Sequence, residues 1–182
     1  MSYIKISPVK GLSGVLKIPG DKSISHRAVI LGALSCGDTN IHNFLYAEDT
    51  MRTVKMFQEM GVEIHDFYSG STNLTIHGKG LQGLKRPTNV LYAGNSGTTT
   101  RLMLGVLAGQ NFETVITGDE SLKKRPMLRV IEPLRLMGAK ICNCKDGNFL
   151  PLAVQVGKLW SGGKIQTTNK TLKAIKYTMP VA

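Results

Sequence analysis

Two segments carry the side chains best suited to chemistry: Gly20-Asp-Lys-Ser-Ile-Ser-His-Arg27 and Gly94-Asn-Ser-Gly-Thr-Thr-Thr-Arg101. Each opens with glycine, holds hydroxyl residues in its middle and reaches arginine seven positions later. Each lies between a strand-like run and an apolar helical run, which puts its polar groups at a helix N-terminus. Unpaired backbone N–H groups and the positive end of the helix dipole make such a turn attractive to anions. In the first, Ser23 and Arg27 share a helical face. Lys22 stands at the mouth as a point charge for phosphate, and Arg27 offers a planar fork suited to carboxylate. In the second, Asn95, Gly97 and Thr98 supply donors around the turn, and Arg101 follows. Plainer roles stand beside these: Ser23 as a helix cap only, Arg101 as a buried structural ion-pair partner. Neither segment has the Walker A or Gly-x-Gly-x-x-Gly pattern, so nucleotide binding is not indicated.

The elements that must position these turns also occur twice. Val15–Ile18 and Val90–Tyr92 read as strands ahead of each turn, and Ala28–Leu34 and Leu102–Leu107 as the helices behind it. Thr39–His42 and Glu113–Thr117 alternate like strands. Second helices are expected over Asp49–Met60 and Pro126–Met137, with apolar residues at helical spacing (Met51, Val54, Phe57; Leu128, Ile131, Leu134). Both end in Met-Gly, where glycine suits the left-handed position after a helix. Strands Val62–Ile64 and Ala139–Ile141 follow, then closing strands Leu74–Ile76 and Leu152–Val156. The second copy is longer by an insertion around Lys123–Arg125. Each copy reads β-α-β-α-β-β, which predicts an α/β architecture of repeated units, one over about 13–80 and one over about 88–157. A last strand-like run, Leu172–Val181, stands where a third copy should begin, about 164–182, and the expectation is that this third unit is truncated at Ala182.

Composition bounds the class. With 42% hydrophobic and 19% charged residues in 182, the chain suits a folded domain rather than a disordered one. No apolar run is long enough to span a membrane, and the first residues lack a leader pattern, so a cytoplasmic protein is expected. Three cysteines without framework spacing fit a reducing compartment, and Cys142-Asn143-Cys144 is too short for a zinc half-site. The net charge of +11 calls for either nucleic acid or small polyanions as partners. Scattered basic residues and few aromatics favour small anions over nucleic acid. Asp21 and Asp49 read as turn and helix-cap residues.

The two turns, together with Gly118-Asp-Glu-Ser-Leu-Lys-Lys-Arg-Pro-Met127, resemble the 3-phosphoshikimate 1-carboxyvinyltransferase family, also called 5-enolpyruvylshikimate-3-phosphate synthases. The resemblance runs from Ile18 to Ala182. It implies transfer of the enolpyruvyl group of phosphoenolpyruvate to the 5-hydroxyl of shikimate 3-phosphate, by addition and then elimination of phosphate. This is a step toward chorismate and the aromatic amino acids, and the herbicide glyphosate competes there. No cofactor or metal is implied. The implied fold has two lobes of three β-α-β-α-β-β units, an inside-out α/β barrel, with the substrates between them. By motif, Lys22 would act at the transferred group and touch both substrates. Ser23 and Arg27 would hold shikimate 3-phosphate. Asn95 and Gly97 would line the phosphoenolpyruvate pocket, and Arg125 would bind its phosphate. The family's next turn and whole second lobe lie beyond Ala182, and residues 1–12 would pack with that missing lobe. The expectation is therefore a chain inactive by itself; the alternative is a non-catalytic product or a split subunit needing a partner lobe.

Overall fold

The computed structural model describes residues 3–66, 72–143, 148–155, 158–161, 164–167 and 172–179. The first turn leads into α1 (Lys22–Leu34), β1 (Cys36–Ile41), α2 (Glu48–Glu59), β2 (Glu63–Asp66) and β3 (Leu74–Lys79). The second copy follows with β4 (Leu91–Tyr92), α3 (Gly97–Ala108), β5 (Thr114–Thr117), a single helical turn α4 (Glu120–Lys123), α5 (Leu128–Leu136), β6 (Lys140–Cys142) and β7 (Leu152–Gln155). In the first sheet the strands lie in the order β1-β3-β2, and in the second β4-β5-β7-β6. Both β1–β3–β2 and β5–β7–β6 are antiparallel throughout, so the repeat read from sequence is a repeat of topology. The insertion expected around Lys123–Arg125 takes the form of α4, which the first copy lacks.

Both second helices stop by the same device. Gly61 (φ 86°) and Gly138 (φ 103°) take the left-handed conformation after C-cap residues Met60 and Met137. Val62 N–H then donates to Phe57 O at 3.0 Å, and Ala139 N–H to Leu134 O at 2.9 Å. These bonds close the helix ends and turn each chain into its next strand. Above them, apolar faces meet in one core: Val29, Ala33, Phe57 and Met60 from the first copy, Met103, Leu104, Ile116 and Ile131 from the second, all fully buried. Each such side chain contributes roughly 1.5–3 kcal/mol by leaving water. Because α2 and α3 pack together in this core, the two turns are held by one body.

Two expected strands are not strands. Val15–Ile18 is exposed and, among the described residues, lies outside every ladder. Its counterpart β4 pairs in parallel with β5, whereas residues 15–18 do not pair with β1; alternation alone does not supply a partner. The described part of the run from Leu172, residues 172–179, lies against α5 instead of in a sheet. Lys173 N–H donates to Met137 O at 2.8 Å, and Tyr177 Oη to Glu132 Oε2 at 3.3 Å. Val156 and residues 180–182 are outside the described residues. A hairpin that periodicity did not suggest, β8 (Lys158–Ser161) with β9 (Lys164–Thr167), precedes that run. α5 also begins two residues later than expected, because Met127 N–H is held by Asn148 O at 2.8 Å.

Candidate functional site

The first turn is capped by Asp21, not Ser23: the Asp21 carboxylate accepts the Ile24 N–H at 2.7 Å. Ser23 is thereby left with an exposed hydroxyl on the first turn of α1. Arg27, also exposed, donates from Nη1 to Ser23 O at 3.1 Å. Lys22 reaches across to Asp49, Nζ to Oδ2 at 3.2 Å. The Gly20 backbone needs closeness, though to its own chain. A Cβ at Gly20 would stand 2.0 Å from Asn43 O.

Asp49 is not the cap of α2, as its position suggested. Ala47 is the N-cap residue, and its N–H is taken by Thr50 Oγ1 at 3.1 Å. Asp49 sits inside the first turn, where a carboxylate is favourable to the helix dipole. It also joins the two turns. Its carboxylate holds Lys22, while its backbone oxygen accepts from Thr99 Oγ1 at 3.2 Å.

In the second turn Ser96 is the N-cap of α3, accepting Thr99 N–H at 3.2 Å. Gly97 opens the helix, and the absent side chain there leaves room for two guanidiniums. A Cβ at Gly97 would meet Arg101 Nη1 at 2.9 Å and Arg125 Nη1 at 3.5 Å. Arg125 donates from Nη2 to Asn95 Oδ1 at 2.5 Å. Asn95, Gly97 and Arg125 thus come together although Arg125 stands far along the chain. Arg101 has no carboxylate within ion-pair distance among the described residues, so the structural ion pair is not what holds it. Burial, with Arg129 and Arg125 nearby, pulls Arg101 below the usual guanidinium range, and its Nε has no partner. Cations converging with no carboxylate in ion-pair contact among the described residues form a place for an anion.

Among the described residues no hydrogen bond or ion pair joins the two groups of site residues directly; a buried hydrogen-bond chain links their helices. His26 Nδ1 lies 2.8 Å from Thr53 Oγ1, Thr53 Oγ1 lies 2.9 Å from Thr99 Oγ1, and Thr99 Oγ1 lies 2.7 Å from Ser96 Oγ. All four residues are buried, and His26 Nε2 has no partner. With Thr99 donating to Ser96 or Asp49 O, Thr53 must donate to Thr99, and His26 must donate from Nδ1. The unpaired Nε2 is then an acceptor, the less costly group to leave unmet. His26 belongs to the first motif, but its sequence position gives no hint of the buried partner it finds on α2. Thr53, on the core side of α2, carried no sequence signal beyond a polar residue among apolar neighbours.

Burial lowers the His26 pKa from 6.5; Asp49 opposes the shift, and Lys22 and Arg27 add to it. The folded chain therefore keeps His26 neutral at pH values where the unfolded chain has begun to protonate it. Stability should rise with pH up to about 6.5 and fall below it, since the unfolded state binds the extra proton. Thermal unfolding between pH 5 and pH 8 is expected to show that slope, and His26→Gln to flatten it. Equal slopes for both proteins would put the titration elsewhere.

No helix among the described residues is long and apolar enough to cross a membrane. A family model described as EPSP synthase (3-phosphoshikimate 1-carboxyvinyltransferase) matches residues 6–179. A Desulforamulus reducens protein named 3-phosphoshikimate 1-carboxyvinyltransferase is 57% identical over 156 residues, covering 85% of this chain and 35% of that protein. The Bacillus subtilis protein of the same name is 48% identical over 179 residues, covering 98% of this chain and 38% of that one. Among solved structures, EPSP synthase from Acinetobacter baumannii superposes with a TM-score of 0.79 at 44% identity, over 93% of this chain and 35% of that chain. The chain thus spans little more than a third of the length of the relatives it matches.

Proposed function

This chain belongs to the EPSP synthase family, and we propose that it supplies part of the substrate site for enolpyruvyl transfer from phosphoenolpyruvate to the 5-hydroxyl of shikimate 3-phosphate. The supporting observation is the pair of guanidiniums, Arg101 and Arg125, that converge over Gly97 with no carboxylate in ion-pair contact with either among the described residues. In this reading Arg125, Asn95 and Gly97 receive phosphoenolpyruvate, and Arg101 adds charge behind them. Ser23 and Arg27 receive shikimate 3-phosphate. Lys22, tied to Asp49 at the boundary of the two turns, serves both substrates and the transferred group.

The chemistry asks for this distribution of charge. Two polyanions must be brought within reacting distance, and each repels the other. Fixed cations offset that repulsion and save the entropy of encounter. Loss of phosphate places further charge on the departing group, where a guanidinium fork binds in two places. The remaining length, supplied by the rest of the protein in the relatives, would complete the reaction.

The test joins residues 1–182 to the portion of the Bacillus subtilis relative that follows its matching segment. The chimera is expected to release phosphate only when both substrates are present, and the 182-residue chain alone to release none. A folded chimera without turnover would overturn the proposal. Turnover by the chain alone would overturn its dependence on the rest of the protein.

A further inference from the structure

Arg125 is held by an arrangement that reaches one residue beyond those assigned to substrate. Its Nη2 donates to Asn95 Oδ1 at 2.5 Å, and Asn95 Nδ2 donates in turn to Asp119 Oδ2 at 2.7 Å. The second Asp119 oxygen accepts the Leu122 N–H at 2.7 Å, capping α4. Asp119 itself is anchored to the second turn, its N–H donating to Gly94 O at 2.9 Å. Space at that corner is tight: a Cβ at Gly118 would come within 2.6 Å of Gly94 O. Asn95 is exposed and would otherwise rotate freely between two amide orientations.

Hydrogen-bond chemistry leaves it one. A guanidinium can only donate, and an ionised carboxylate can only accept. An amide between them satisfies both only with its oxygen toward Arg125 and its nitrogen toward Asp119. The Asp119 carboxyl stays ionised: the hydrogen bond from Asn95 is the largest cause that holds its pKa below the usual carboxylate value, with the Leu122 N–H and Arg125 acting in the same direction. We propose that Asp119 is a positioning residue for phosphoenolpyruvate binding, fixing the Asn95 amide so that its oxygen holds Arg125 over Gly97. The inference rests on the reading of Arg125 as a phosphoenolpyruvate ligand. Asp119 does not touch substrate; it acts through Asn95.

The sign of one substitution separates this role from plain electrostatics. Asp119→Asn keeps a residue that caps helices well, so α4 is retained. It also removes a negative charge close to Arg125. Coulomb's law alone then predicts tighter anion binding. Positioning predicts the reverse. The substituted side chain would turn its NH2 toward Asn95, the Asn95 amide would flip to accept it, and the Asn95 NH2 would face Arg125, donor against donor.

The experiment uses the isotope-labelled 182-residue chain and phosphoenolpyruvate as the probe, read by the Gly97 amide resonance. Asp119→Asn is expected to weaken binding about five- to tenfold, the size of one to one and a half hydrogen bonds. In an Asn95→Ala background the same substitution should weaken it no further, since the relay is already cut. Unchanged or tighter binding by a folded Asp119→Asn chain, or equal effects in both backgrounds, would overturn the proposal. A second readout does not need the ligand. Rotation about the Arg125 Cζ–Nη bonds should be slow in the wild type and faster in Asp119→Asn, while α4 amides keep their exchange protection. Wild-type chain that shows slow rotation but ignores phosphoenolpyruvate would sink the assignment of the site and leave the relay standing. Identical rotation in the two proteins would sink the relay.

Discussion

Replacing Arg125 with alanine in the chimera should lower kcat/KM for phosphoenolpyruvate by about 30- to 100-fold, the loss of roughly 2–3 kcal/mol in charge-assisted hydrogen bonds. The Arg125 guanidinium is oriented by Asn95 on one side and faces the space over Gly97 on the other. Among the described residues no carboxylate lies within ion-pair distance of it, and the nearby Asp119 reaches it through Asn95, so its second edge is open to a ligand. Arg125→Lys should fall between the two. An ammonium keeps the charge but lacks the fork that pairs Asn95 and a phosphate at once. The KM for shikimate 3-phosphate should move far less, because Ser23 and Arg27 stand on the other turn. Steady-state kinetics with each substrate varied would decide. Equal losses for both substrates would mean that Arg125 supports the fold rather than one ligand, and a change under about twofold would remove it from the site.

Much of the architecture that brings Arg125 to Asn95 was legible in the sequence. Gly61 and Gly138 each follow methionine at the end of an amphipathic stretch, and left-handed helix termini need that residue type. Phe57 and Ile131 lie at helical spacing with their neighbours and are fully buried. Local rules govern such features, so they can be read locally. The strands at 15–18 and from Leu172 failed for a corresponding reason. A ladder is a relation between two segments, and alternation in one of them says nothing about the other. The N-cap of α2 failed more narrowly. Asp49 is a strong capping type, yet Thr50 takes the reciprocal bond to Ala47 N–H and leaves Asp49 free to engage Lys22.

The site was legible in parts. Hydroxyls and cations at helix starts could be found one turn at a time. Their assembly could not, because Asn95 and Arg125 meet across the sheet and the insertion α4. Only the motif resemblance connected them before the geometry did. Asp119 stood within the third motif with nothing to mark its role, and Thr53 read as any polar residue on a mixed helix. Both owe their roles to partners distant in sequence. Arg101 shows the same limit from the other side. A half-buried arginine on an apolar helix is ordinarily paired, and here it is found beside other guanidiniums instead.

Thr53→Val is the other substitution with a large expected effect, and it acts on both turns at once. The two side chains have nearly the same shape, so packing in the core changes little. The hydroxyl, however, is the middle of the chain from His26 on α1 to Thr99 on α3. Thr99 keeps Ser96 and Asp49 O as partners. His26 has no replacement, since Nε2 is already unpaired. A neutral imidazole carries one N–H in either tautomer, so one buried donor is unmet whichever form it takes. That costs roughly 1–3 kcal/mol, which lowers Tm by about 3–10 °C in a chain of this length. Thr53→Ser, which keeps the hydroxyl and loses a methyl group, should retain the His26 tautomer, seen in the ring nitrogen resonances, even where some stability is lost to the cavity. If the chain couples the turns, Thr53→Val should also weaken both substrates in the chimera by similar factors, although Thr53 touches neither site directly. Lower Tm with both KM values unchanged would make the chain a part of the core alone. An unchanged Tm would show that His26 finds another partner, and the link between the turns would then rest on Asp49, through Lys22 on one side and Thr99 on the other.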